Sequence, residues 1–236
     1  MNKNLKDVLI SIHHKYLLGK FTGDIFHEVN NIVGASIGFA QLAQISMKED
    51  DIKKMIEVVL RSTGRVKEIS RSAQNYLSDY NGSAGINDVS LLISECIQLV
   101  KKSFTKKGAQ ISFNNNGIIS FSTDTGLLRH AVLSMISFLF ENLENGGTVS
   151  VNVEKAGSEK IKISFLYENI SSTHIDTIIH ATEEENSFED LYKDDAVTRY
   201  YDGYVALYVL KNKLGGTIIG SPDSITVLLD EKKYNL

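Results

Sequence analysis

The chain has 236 residues, 42% of them apolar, with 25 Lys and Arg against 29 Asp and Glu and a formal net charge of -4. That apolar content is ample for a buried core, and a mixed, slightly acidic surface gives no long-range attraction for nucleic acid or anionic lipid. No stretch approaches the roughly 18 consecutive apolar residues of a membrane-spanning helix, and Ser11, His13, His14 and Lys15 interrupt any export signal, so a cytoplasmic protein with no membrane segment is expected.

The only proline is Pro222, so nothing before it breaks a helix in that way. From Leu18 the apolar positions Leu18, Phe21, Ile25, Val29, Ile32, Phe39 and Ala43 advance by steps of three and four, with Ser36 taking one seam position. This spacing predicts a long helix with a bundle seam. A second stripe, Phe26, Val33, Ile37 and Ala40, widens the apolar face, so the helix needs more than one neighbour. His13 and His14 precede the seam on the same helix and read as surface or N-terminal packing. After a polar link over 47–51, Ile52, Met55, Ile56, Val59, Val66, Ile69, Ala73 and Leu77 predict the returning helix. One chain thus supplies half of a four-helix bundle, and two antiparallel hairpins from a homodimer would complete it.

The Gly, Ser and Asn cluster at 81–87 predicts a hinge, dividing the chain into a hairpin domain at 1–83 and a second domain at 86–236. The second domain reads as helix 88–106, strands 109–114 and 118–122, helix 124–143, strands 147–155 and 159–168, an acidic helix and loop 173–198, helix 202–213, and strands 216–220 and 224–229. These make an α+β fold, a mostly antiparallel sheet with helices on one face. Cys96 lies in an apolar stretch and reads as core. The acidic run over 182–190 reads as a solvated face. His130, His174 and His180 lack partners at zinc-like spacing, so no metal site is expected.

His27 stands apart from the apolar seam, among the helically spaced Lys20, Gly23, Asp24, Asn30, Asn31 and Gly34, and so is expected to face outward between small and polar side chains. A neutral imidazole nitrogen is nucleophilic near neutral pH, and a phosphoramidate formed on it transfers onward readily. Glu28, the next residue, is placed to orient the ring or take its proton.

Phe26-His27-Glu28-Val29-Asn30-Asn31-Ile32-Val33-Gly34-Ala35 resembles the H-box of sensor histidine kinases, of the form His-Glu-x-x-Asn. The resemblance implies a dimerisation and phosphotransfer hairpin in which His27 is the phosphoacceptor, Glu28 assists, and Asn31 positions water. Lys20, Asp24, Asn30 and Gly34 would then meet the partner. The family often has Pro after the second Asn, where Ile32 stands here. In the second domain, the segment 124–133 resembles the start of the kinase N-box helix. The family's Mg²⁺-holding asparagines, however, are replaced by Ser134 and Phe138, and a phenyl ring cannot ligate a hard cation. Tyr167-Glu168-Asn169-Ile170-Ser171 stands where the family has an Asp-x-Gly-x-Gly turn, and the segment 201–207 keeps a single glycine, Gly203. The segments 214–218 and 224–229 still look like the closing strands.

The second domain therefore resembles a degenerate ATPase-like domain, with no cofactor or metal expected on this chain. The pairing, like Val33-Gly34-Ala35 after the H-box, is similar to dimeric histidine phosphotransferases. This implies that phosphate is exchanged between His27 and the aspartate of a response-regulator receiver domain, with Mg²⁺ supplied by the receiver. A pseudokinase regulator that binds a kinase or receiver without phosphorylation is the alternative. An ATP-dependent kinase would need the residues that are missing.

Overall fold

The computed structural model describes residues 3–46, 48–78, 84–115, 117–144, 146–183 and 197–231. Helix α1, Lys3–Ser46, runs for 44 residues, and α2, Glu49–Ser78, returns alongside it. The helix extends well before the apolar seam that begins at Leu18, with no proline to interrupt its ladder. Its N-terminal part packs inward through Ile10, Leu17 and Phe21, all buried. Further along, Phe26, Val33 and Ile37 are 63%, 42% and 54% exposed and Ala40 is exposed as well, so the second stripe is left uncovered by the hairpin's own partner helix.

Strand β1, Ala84–Asp88, occupies the end of the expected hinge and pairs antiparallel with β3, Ser120–Asp124. Gly85 and Asn87 are poor strand formers; pairing with β3 overrides that local preference. The rest of the expected hinge, 81–83, lies outside the described residues. Asp88 ends β1 and caps α3, Val89–Lys106, by accepting from the amides of Ser90 and Leu91; Asp124 caps α4, Thr125–Asn142, through the amide of Leu127.

The main sheet has the order β2-β4-β5-β7-β6, with β2, Gln110–Asn115, parallel to β4, Thr148–Lys155. The remaining neighbours, β5 at Lys160–Tyr167, β6 at Thr217–Ser221 and β7 at Ser224–Asp230, pair antiparallel. Alternation puts Val149, Val151, Val153, Ile161, Ile163, Phe165, Ile225, Val227 and Leu229 into one core with residues of α3 and α4. Cys96 lies in that core, where burial pushes its thiol up to about 12. Helix α5, Ser172–Glu183, carries the start of the acidic run; residues 184–190 of that run lie outside the described residues. Helix α6, Val197–Tyr208, starts before the expected position 202 and continues as a π turn, Val209–Lys213. Tyr200 supports the added turn, its hydroxyl lying 2.7 Å from His174 Nδ1 on α5. Gly215, at φ 74°, turns the chain out of the helix, and the Gly216 amide donates to the Leu210 carbonyl at 2.8 Å.

Candidate functional site

Helical period alone carries His27 to the open side of α1, and the structure leaves it exposed together with Asn30, Asn31 and Gly34. A β-carbon on Gly34 would meet nothing within 4 Å, so a partner can approach the backbone closely there. Glu28 is drawn toward α2, where Arg65 pairs with it as an ion pair. This cation escapes a reading of the sequence, because only the hairpin register brings residue 65 opposite residue 28. Glu28, Asn31, Arg61, Arg65 and Lys102 line a groove of about 510 Å³ between the hairpin and α3.

Two residues expected near His27 are engaged within the chain. Asp24 accepts from the Ser103 hydroxyl at 2.6 Å and pairs with Lys106 at 3.3 Å, both at the end of α3. The Ser103 hydrogen bond lowers its carboxyl below the usual range, outweighing partial burial, with help from Lys106 and His27. Lys20 reaches Ser137 Oγ at 2.9 Å, Asp202 Oδ2 at 3.0 Å and Glu141 Oε1 at 3.0 Å. Burial would lower its ammonium group, yet the two carboxylates raise it.

Asp202 is the centre of this junction. It is 5% exposed and accepts from His13 Nε2 at 2.9 Å, from Lys20, and from Ser137 Oγ at 2.5 Å. Burial alone would raise its carboxyl; the His13 hydrogen bond and the Lys20 charge outweigh that and bring it down to about 2. Of the surface and N-terminal packing expected for His13 and His14, packing is what the structure has: both are buried, His13 against His130 of α4 and Tyr201 and Asp202 of α6, His14 against Tyr76 of α2 and His130.

Phe138 is fully buried against α6: a β-carbon on Gly203 would stand 2.7 Å from its ring. Gly203 lies inside a helix, not in an open phosphate-approaching loop. The Ser134 hydroxyl turns back onto the His130 carbonyl at 2.7 Å, and the buried Tyr167 donates to the Ser221 carbonyl at 3.0 Å. Asn169 takes a left-handed φ of 61° in the turn that follows. A phenyl ring, a satisfied hydroxyl and a buried tyrosine therefore stand where the resemblance would place ligands for Mg²⁺ and adenine. Among the described residues no group of three or more His, Cys, Asp or Glu is placed to hold a metal, and no helix is long and apolar enough to cross a membrane.

No protein-family model matches the chain, and no curated protein matches it. Among solved structures it is similar to the catalytic domain of histidine kinase ThkA, at 12% identity and a TM-score of 0.48, covering 63% of this chain and 97% of that one. It is also similar to histidine kinase AdeS of Acinetobacter baumannii, at 12% identity and a TM-score of 0.46, covering 88% and 98% of the two chains. A histidine kinase from Burkholderia phymatum aligns at 10% identity and a TM-score of 0.46, over 93% of this chain and 97% of that one.

Proposed function

We propose that this chain is a histidine phosphotransfer protein of a two-component phosphorelay, exchanging phosphate between His27 and the aspartate of a response-regulator receiver domain without using ATP. The observation that carries the reading is the exposed His27, followed in sequence by Glu28, whose carboxylate pairs with Arg65. In the transfer, an imidazole nitrogen of His27 attacks phosphorus, a P–N bond forms, and the bond to the receiver's aspartate breaks with that carboxylate leaving. Glu28 accepts or orients the proton on the other ring nitrogen, and Asn31 stands one turn along to position water. Asn30 and Gly34 border the approach, and Lys20 and Asp24 contribute by holding α1 against the second domain beside it.

The absence of ATP from this reading is supported by Phe138 and Tyr167, whose buried side chains do not fit a magnesium nucleotide. Mg²⁺ comes with the receiver. The exposed Phe26, Ile37 and Leu42 support a homodimer in which a second hairpin covers them. A cytoplasmic location follows from this role.

The test incubates the protein with a labelled phospho-receiver and, separately, with labelled ATP. Label should pass from the receiver to the wild type and not to His27→Ala, and ATP should give none. A wild type that takes no label but binds the receiver would favour the non-catalytic pseudokinase regulator, which the same buried Phe138 supports. Labelling of the protein by ATP alone would overturn the ATP-free reading.

A further inference from the structure

His13 and His14 on α1 and His130 on α4 are each at most 2% exposed, and their rings crowd together. His130 lies 5.1 Å from His13 and 5.2 Å from His14 between ring centroids. Tyr76 of α2 stacks on His14 at 4.2 Å, and Tyr201 of α6 meets His13 edge-on at 4.8 Å. The cluster therefore joins both helices of the hairpin to two helices of the α/β domain.

Its polar atoms form one run. The Tyr76 hydroxyl lies 3.0 Å from His130 Nδ1, His130 Nε2 lies 3.3 Å from His13 Nδ1, and His13 Nε2 lies 2.9 Å from Asp202 Oδ1. With neutral rings each link has one donor and one acceptor: Tyr76 donates to His130, His130 to His13, and His13 to Asp202. One extra proton is also accommodated, because the Tyr76 hydroxyl can turn to the His14 carbonyl at 3.2 Å and accept from His130 Nδ1. A second proton on the His13 and His130 pair cannot be placed, since two N–H groups would then face each other across 3.3 Å.

The surrounding charges offer little relief. Lys15 and Lys20 of α1 and Arg129 of α4 are cations near the rings. Asp202 already accepts from Lys20 and Ser137, Glu141 pairs with Lys20, and Glu95 of α3 is taken by Arg129 and Asn75.

We propose that this histidine cluster is an acid-sensitive latch between the hairpin and the α/β domain, closed while its rings carry at most one extra proton and opened by further protonation. The proposal does not depend on the chemistry of His27. Burial, the main cause, holds His14 down to about 4 and His130 well below its ordinary value, with neighbouring histidines adding to the effect. A histidine lowered in this way contributes fully above its ordinary 6.5, and its contribution is lost as pH falls from there toward about 4.

The test follows the radius of gyration of the full chain by small-angle X-ray scattering, with far-UV circular dichroism in parallel, as pH is lowered. The wild type should expand between pH 6.5 and about 4 with its helical signal retained. The double variant His14→Phe with His130→Gln keeps the stacking and a hydrogen-bonding group while removing two titrations, and should move the midpoint down by about one pH unit or more. Asp202→Asn removes the carboxylate and should move it up, which keeps the proposal falsifiable if the double variant does not fold. A wild type that stays compact until its helices melt overturns the latch, as does any folded variant of the two that expands at the wild-type midpoint.

Discussion

A β-carbon added to Gly203 would stand 2.7 Å from the ring of Phe138, so α4 and α6 meet with no room for a methyl group. Gly203→Ala should therefore destabilise the protein. Replacing a helical glycine by alanine ordinarily gains about 1 kcal/mol, but overpacking a core costs about 1–3 kcal/mol, and the latter should win because Phe138 is hemmed in. Thermal unfolding should show a Tm lowered by a few degrees; an unchanged or raised Tm would mean that the two helices part easily.

His27 is exposed, so its loss should affect phosphoryl transfer and leave the fold alone. His27→Gln is expected to take no label from a phospho-receiver, while its stability stays within about 0.5 kcal/mol of wild type. A variant that unfolds early would show that His27 has a structural role.

Arg65 is 54% exposed at its side chain, and its pair with Glu28 should add at most about 1 kcal/mol to stability. In the proposed transfer its weight lies in fixing the carboxylate of Glu28, the residue that follows His27. Arg65→Gln should slow transfer from the receiver by about tenfold, through poorer orientation of the acid, with little change in Tm. Single-turnover kinetics would measure this, and an unaltered rate would remove Arg65 from the site.

Arg129 Nη2 donates to Glu95 Oε2 at 2.9 Å, with both side chains under 10% exposed. Arg129→Met would leave the buried Glu95 carboxylate with only the Asn75 amide at 2.7 Å and Arg71 at 3.9 Å, and should cost about 3 kcal/mol in denaturant unfolding, the low end for breaking a buried pair. Adding Glu95→Leu should recover much of that loss; no recovery would show that Arg129 matters through its packing instead.

Stability should also depend on acid in a defined direction. The His14 ring is lowered to about 4 from 6.5, so its contribution is whole above 6.5 and fades as pH falls toward 4. The Asp202 carboxyl, lowered to about 2 from 3.8, loses its contribution only as pH falls below 3.8. Scanning calorimetry should give a flat Tm near neutrality, a first decline below 6.5 that is smaller in His14→Phe, and a later one below 3.8. A His14→Phe profile identical to wild type across the first decline would exclude His14 as its source.

The helical period from Leu18 to Leu77 carries the hairpin and the outward direction of His27, because both depend only on spacing along a single helix. The alternation in β4, β5 and β7 likewise announces a one-sided sheet. The fate of His13 and His14 could not be read in this way. Their surroundings are supplied by His130 and Asp202, the latter 189 residues beyond His13, and no local pattern reports a partner so distant. The same holds for Glu28, whose Arg65 arrives through the register of the returning helix. Sequence determined which residues could do chemistry, since that follows from local geometry. The tertiary structure alone decided which were buried, paired or left open, since desolvation and charge pairing depend on groups that only folding brings together.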